Sequence, residues 1–283
     1  MKLSKNRPNV RQHKILIPTG IALLVVAGVF GVLKFNDIFP SESENLASQN
    51  SNTTKNDSDK KEEDQPNNET KQGAEPIPKE NQSTNPVLSE AGNNWWVVNK
   101  TRPLDPAKYQ PSDLVFPNVT LRVPGNESMK LRTEPALAVE KLFSAAKTSG
   151  YSPMFSSGYR SYNYQVTLYN GYVNTQGQAE ADKQSARPGF SEHQTGLAFD
   201  ICDASDCDLV QSFGTTAFGQ WIANNAHLYG FTIRYKENKQ NITGYIYEPW
   251  HLRYVGVDLA TKLKNSNQTL EEYFGLPAAP DYK

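Results

Sequence analysis

Two residue types with strong metal chemistry are scarce in this chain of 283 residues: it has two cysteines and four histidines. No cysteine precedes Cys202, so a signal anchor is expected in preference to a lipid-modified N-terminus. A dominant charge sign is also missing. Lys and Arg total 29 against 30 Asp and Glu, and this balance argues against a nucleic-acid partner. No A-x-A-like cleavage site follows the one long apolar run; Lys34, Phe35, Asn36 and Asp37 come next instead. The distal part shows no internal repeat.

What is present is strongly segmented. Lys2, Lys5, Arg7, Arg11 and Lys14 precede any acidic residue, and Ile15 to Leu33 is uncharged and mostly apolar. At ~1.5 Å per residue that run just crosses a hydrocarbon core of ~30 Å. The expectation is a cytoplasmic basic tail (1–14), a transmembrane signal anchor (15–33) and everything beyond it outside the cell membrane. Residues 34–91 are dominated by Ser, Asn, Thr, Gln, Lys, Glu, Asp and Pro, and read as a disordered extracellular linker that cannot bury enough surface to order itself. Large apolar residues return at Trp95 and Trp96 and persist to about Leu276, so a folded domain is expected over 92–276, with 277–283 as a tail.

Within that domain, TEPALAVEKLFSAAKTSG places Leu137, Val139, Leu142, Phe143 and Ala146 at helical spacing, with Thr133 as N-cap and Gly150 as the stop. YSPMFSSGYR reads as a short strand entering a turn. SYNYQVTLYNGYVN reads as a helix begun by Ser161, and TTAFGQWIANNAHLY as a third helix ended by Gly230. GFTIRYKENKQNITGYIYEPW has two β-prone runs around a polar turn, a hairpin signature. The expected fold class is α+β, with helices packed on an antiparallel sheet.

The chemistry centres on two stretches, SEHQTGLAFD and YEPWHLRYVG. His13 lies on the cytoplasmic side and His227 in a helix, leaving His193 and His251 for outside chemistry. Gly196 permits a bend that could bring Asp200 back beside His193, and Pro249 makes a regular helix through Glu248 and His251 unfavourable. Two imidazoles and one carboxylate suit a catalytic zinc, because three protein ligands leave the fourth position for water. A second carboxylate that is not a ligand can move the proton. Glu248 suits that task; Glu192 is the rival, read as an exposed loop carboxylate. Alone, each histidine reads better as a hydrogen-bonded structural residue.

SEHQTGLAFD matches an S-x-H-x-x-G-x-A-x-D motif and EPWH an E-x-W-H motif, and on these the chain resembles the VanY-like zinc carboxypeptidases that trim peptidoglycan stem peptides. Those carboxypeptidases belong to a wider group with lysostaphin-type peptidases and the hedgehog signalling domain. SSGYRSYNYQ and VNKTRPLDPAKYQPSDLV extend the resemblance, which runs from about Trp95 to Phe274. It implies a hedgehog/D,D-peptidase-like fold, zinc (Zn2+) held by His193, Asp200 and His251, and Glu248 as general base and acid. It also implies substrate contacts from Arg160, Gln165 and Ser191. The implied reaction is attack of zinc-bound water on the last peptide bond of a stem peptide, releasing a D-amino acid such as D-Ala. An endopeptidase on the same scaffold and a non-catalytic zinc-containing cell-wall module are the competing readings. Trp250 reads either as a wall of the site or as core; Tyr245, Tyr247 and Arg253 have no assigned role.

Cys202 and Cys207, in CDASDC, would lie outside the membrane, where a disulfide is stable. Two free thiols, or a thiolate replacing a zinc ligand, are the rivals. Asp203, Asp206 and Asp208 lack the spacing and closing Glu of an EF-hand.

Overall fold

A computed structural model describes residues 85–283 of the chain. The basic tail, the anchor segment and the linker as far as residue 84 lie outside the described residues. Among the described residues no helix is long and apolar enough to cross a membrane.

The strands are β1 (Leu114–Val115), β2 (Leu131–Arg132), β3 (Pro153–Ser157), β4 (Ala198–Asp203), β5 (Phe231–Ile233) and β6 (His251–Tyr254). The α-helices are α1 (Thr133–Thr148), α2 (Tyr162–Gln176), α3 (Gln178–Gln184), α4 (Ala217–Asn225), α5 (Gln240–Thr243), α6 (Val257–Ser266) and α7 (Leu270–Phe274). β1 and β2 form a small antiparallel pair. The other four form an antiparallel sheet in the order β3-β4-β6-β5. The fold is therefore α+β as expected, although helices and strands alternate along the chain instead of separating into two blocks.

Strand periodicity divides the sheet into two faces. Phe155, Phe199, Ile201, Leu252 and Tyr254 point into the main core, where Val139, Leu142, Phe143 and Ala146 of α1 and Phe218 and Ile222 of α4 meet them. Phe155 and Phe199 stack with ring centroids 5.1 Å apart. Trp250 belongs to this core. A second apolar cluster joins Leu88, Val97 and Val255 to Leu259, Ala260 and Leu263 of α6 and Leu270 and Phe274 of α7.

Local signals hold in most places. The Ser161 side chain accepts from Tyr164 N at the start of α2, and Gly150, Gly196 and Gly230 adopt positive φ where helical turns end. Other expectations need correction. Arg132, not Thr133, is the N-cap of α1; Thr133 is its first helical residue, with its hydroxyl bonded to Asp113 O. Leu137 is exposed, and Pro135 and Ala136 take the buried places at that end. β5 does pair with β6, but the second β-prone run, Gly244 to Pro249, is not a strand. A short helix and a turn fill the connection, and the strand begins only at His251. Pro249 lacks the N–H that a ladder needs, which is the physical reason for the delay.

The folded region also exceeds its expected limits. Pro86–Ser89 forms a short 3-10 helix with Leu88 in the core, so folding starts before 92. Beyond 276, Ala279 N donates to Ile242 O at 2.7 Å, and the Tyr282 hydroxyl accepts from Arg187 N at 2.8 Å. The last residues pack on the domain and are not a loose tail.

Candidate metal centre

The polar face of the sheet carries the site, and strand register assembles it. On β4, Asp200 pairs with His251 of β6 on one side and Ser157 of β3 on the other. The β3–β4 register shifts between Phe155 and Ser157, which brings Ser157 instead of Ser156 opposite Asp200. His193 arrives from a 3-10 turn, Glu192–Thr195, that ends in Gly196 at φ +70°. A Cβ on Gly196 would come within 2.8 Å of Arg132 Cγ, so both the backbone conformation and the packing require glycine there.

His193, Asp200 and His251 are all buried and form a group whose ligand-capable atoms lie within 4.8 Å of one another. His193 Nδ1 donates to Gly158 O at 2.7 Å, because a carbonyl can only accept. Its Nε2 then faces inward, 3.5 Å from Asp200 Oδ2. His251 is turned the other way: Nδ1 faces Asp200 Oδ1 at 3.4 Å and Glu248 Oε2 at 3.6 Å. The two rings meet edge to face, with centroids 4.8 Å apart.

Asp200 Oδ2 accepts from Ser157 Oγ at 2.6 Å and Arg160 Nη2 at 2.7 Å, whereas buried Oδ1 has no hydrogen-bond partner among the described residues. An unpaired buried carboxylate oxygen facing one imidazole nitrogen, on a carboxylate that a second imidazole also reaches, is the arrangement a divalent cation satisfies. Two nitrogens and one oxygen are donors that fit zinc.

Glu248 lies in the turn that leads into β6. His251 N donates to Glu248 O at 3.1 Å, which ties base candidate and ligand candidate together across Pro249. Burial pushes the Glu248 carboxyl up to about 8; Asp200 adds to the rise, and His251 and Arg160 oppose it. Burial, with the Arg160 charge beside it, pushes His193 down to about 4. His251 behaves oppositely. Burial opposes its charging, yet the neighbouring carboxylates of Asp200 and Glu192, with Glu248, outweigh that and raise it to about 9.

Arg160 reaches the cluster from the turn after β3. Gln165 does not face solvent. It is fully buried in α2, and its Nε2 donates to Ala186 O at 2.7 Å and Ser185 Oγ at 3.2 Å, while Oε1 has no partner among the described residues. Ser191 is buried at the N-cap of the 3-10 turn, and its side chain makes no capping bond. Gln165 thus supports the 185–195 segment, to which Ser191 belongs.

The exposed-loop reading of Glu192 is wrong. Its side chain is buried, and Oε1 accepts from Arg234 Nε at 2.8 Å and Arg253 Nη1 at 2.7 Å. Nothing local distinguishes this residue, since both arginines are distant in sequence. Arg253 was findable: two places after His251 on a strand, it shares that residue's face. Ser157 also lies within the quoted SSGYR segment. Tyr245 packs on Tyr235, which in turn packs on His251. Tyr247 lies against Gly214, where a Cβ would meet its hydroxyl.

Cys202, on β4, and Cys207, just beyond it, form a disulfide, which settles the thiol alternatives.

Residues 128–257 match the family model described as VanY: D-alanyl-D-alanine carboxypeptidase. The YodJ protein of Bacillus subtilis is 47% identical over 180 residues, covering 63% of this chain and 66% of its own. A D-alanyl-D-alanine carboxypeptidase of Enterococcus faecalis is 37% identical over 187 residues, covering 62% of this chain and 64% of its own. The chain thus spans just under two thirds of the length of these curated relatives. Among solved structures, the LdcB LD-carboxypeptidase superposes with a TM-score of 0.62 at 45% identity, covering 65% of this chain and 87% of that one.

Proposed function

Because the chain belongs to the VanY D-alanyl-D-alanine carboxypeptidase family, we propose that it is a zinc-dependent carboxypeptidase that removes a C-terminal D-amino acid from peptidoglycan stem peptides. The observation that carries this is the convergence on His251 Nδ1: Asp200 Oδ1 at 3.4 Å and the carboxyl of Glu248 at 3.6 Å meet there, both buried. A purely structural metal site has no use for a second carboxyl at that distance.

His193 through Nε2, Asp200 through Oδ1 and His251 through Nδ1 would hold the zinc. When bound, it supplies Lewis-acid polarisation of the scissile carbonyl and acidifies the attacking water. Glu248 takes the proton of that water and passes it to the leaving amine nitrogen, a two-way task suited to a carboxyl raised to about 8 by burial. Ser157 and Arg160 hold Asp200 by its other oxygen and so keep Oδ1 turned inward. Arg160 uses Nη2 for this, so the rest of its fork is what remains for a substrate carboxylate or a developing oxyanion. Gln165 shapes the substrate side by holding Ser185 and Ala186, at the start of the segment that carries Ser191 and His193.

The relatives include both a D-alanyl-D-alanine and an LD-carboxypeptidase, so the bond cut is the variable within one chemistry. The basic cluster and uncharged run at the N-terminus support anchoring to the cell membrane by a single pass, with the catalytic domain outside. The test is incubation of the zinc-loaded protein with defined tetra- and pentapeptide stems and mass identification of products. Release of one terminal D-amino acid, abolished by chelation, is expected. Cleavage only at an internal cross-link would replace the reading with an endopeptidase, and zinc binding without any cleavage would replace it with a wall-binding module.

A further inference from the structure

Behind the metal-facing cluster lies a buried ionic network with no part in the chemistry above. Arg234 sends its fork to Glu271, with Nη1 to Oε2 at 2.9 Å and Nη2 to Oε1 at 2.6 Å, and its Nε to Glu192. Arg253 holds the same Glu192 oxygen and anchors its other edge on Trp96 O at 2.7 Å. Two carboxylates and two guanidiniums compensate each other, so this network can stay charged without water.

One end of it is left over. Glu192 Oε2 and His251 Nε2 are buried, have no hydrogen-bond partner among the described residues, and face each other at 3.6 Å. Both arginines bind Oε1, which pins the carboxylate plane and keeps it in the acceptor-only ionised form. An acceptor facing an imidazole nitrogen is compatible only with a proton on that nitrogen. In a neutral ring, a proton on Nε2 leaves the Nδ1 lone pair bare, and Nδ1 is the atom that faces Asp200 and Glu248. His193 shows the same logic with a different partner, its outward Nδ1 donating to Gly158 O.

We propose that Glu192 is a positioning residue: its Oε2 accepts the Nε2–H of His251 and fixes the tautomer and ring orientation that present Nδ1 to the zinc ion. The inference rests on the zinc reading above and extends it to the shell behind the ligands. A carboxylate behind a ligating imidazole raises its basicity, and loss of such a partner typically costs about 10–100-fold in metal affinity.

The test is a double-mutant cycle on zinc affinity, measured by competition with a chromophoric chelator, combined with ring-nitrogen NMR of His251. Glu192→Gln should weaken zinc binding about 10–100-fold in the native background, and less than about threefold in a His251→Ala background, where there is no ring to orient. Zinc-loaded native protein should show a His251 Nε2–H resonance shifted downfield by a strong hydrogen bond, moved upfield in Glu192→Gln. Equal losses in both backgrounds would mean that Glu192 only supports the fold, and would overturn the proposal. If circular dichroism shows Glu192→Gln to be unfolded, Glu192→Asp keeps the charge before both arginines, withdraws the carboxylate from His251 and is read the same way. The native spectrum decides without any variant: an Nε2–H at the ordinary imidazole position overturns the assignment. If His251→Ala leaves zinc affinity unchanged, it is the zinc reading that fails, a different outcome from equal Glu192→Gln losses.

Discussion

The two faces of the four-stranded sheet are made from alternate residues of the same strands, yet they obey different physics. One presents Phe155, Phe199, Ile201, Leu252 and Tyr254 to helices α1 and α4, and its attraction is apolar burial, indifferent to protonation. The other presents Ser157, Asp200, His251 and Arg253, all buried, and every group there depends on the charge of its neighbour. A shift of one residue in any strand would exchange the faces. The apolar face therefore does more than stabilise: it enforces the register on which the site depends.

The largest expected effect isolates the polar face. Glu248→Ala should lower D-amino acid release by at least about 10²–10⁴-fold while zinc content, measured by elemental analysis, stays at the native level. Retained zinc with full hydrolysis would end the assignment of Glu248 as base. Next comes the apolar face. Phe199→Ala should destabilise the domain by about 3–5 kcal/mol in denaturant titration, because Phe199 packs on Phe143, Phe155 and Phe231. A loss under about 1 kcal/mol would show that the sheet does not rely on this layer.

The comparison then sharpens with pH. Burial alone would raise Glu192 and Glu271, but the Arg234 charge, joined at Glu192 by that of Arg253, holds both below the usual 4.5. A folded-state pKa below the unfolded one contributes stability that is present above about 4.5 and lost as pH falls through the folded value. Thermal midpoints should fall from about pH 5 downward, Glu271→Gln should flatten that slope, and Phe199→Ala should shift the curve by a nearly constant amount. A Phe199→Ala offset that grows on acidification would show that the faces are not separable. The smallest effect lies at the edge of the site. Reduction of Cys202–Cys207 should cost roughly 2 kcal/mol of stability on chain-entropy grounds, with hydrolysis retained because the bridge lies beyond Asp200. Loss of activity before unfolding would show instead that the bridge braces the ligand strand.

Much of this site was legible in the chain because its signals are local. His193, Asp200, Glu248 and His251 stand in two short motifs, and Gly196, Ser161 and Gly230 mark turns with the chemistry the structure uses. The failures are equally instructive. The run Gly244 to Pro249 has strand composition, but its hairpin partner pairs with His251–Tyr254 instead, since composition cannot say where a ladder begins. Gln165 entered only through the resemblance, because helical position does not show that Ser185 and Ala186 pack on that turn. Glu192 looked exposed because a carboxylate is cheap to bury only when cations meet it, and Arg234, just past β5, and Arg253, on β6, are distant in sequence.

The sequence by itself determined the donor types, the turns that carry them and the α+β class, since each follows from residue chemistry and short-range periodicity. Only the tertiary structure decided which atoms face one another: Nε2 of His193 but Nδ1 of His251, Ser157 instead of Ser156, one Asp200 oxygen bonded and the other bare. Those choices depend on strand register and on charges brought together across the fold, and no local stretch of chain contains either.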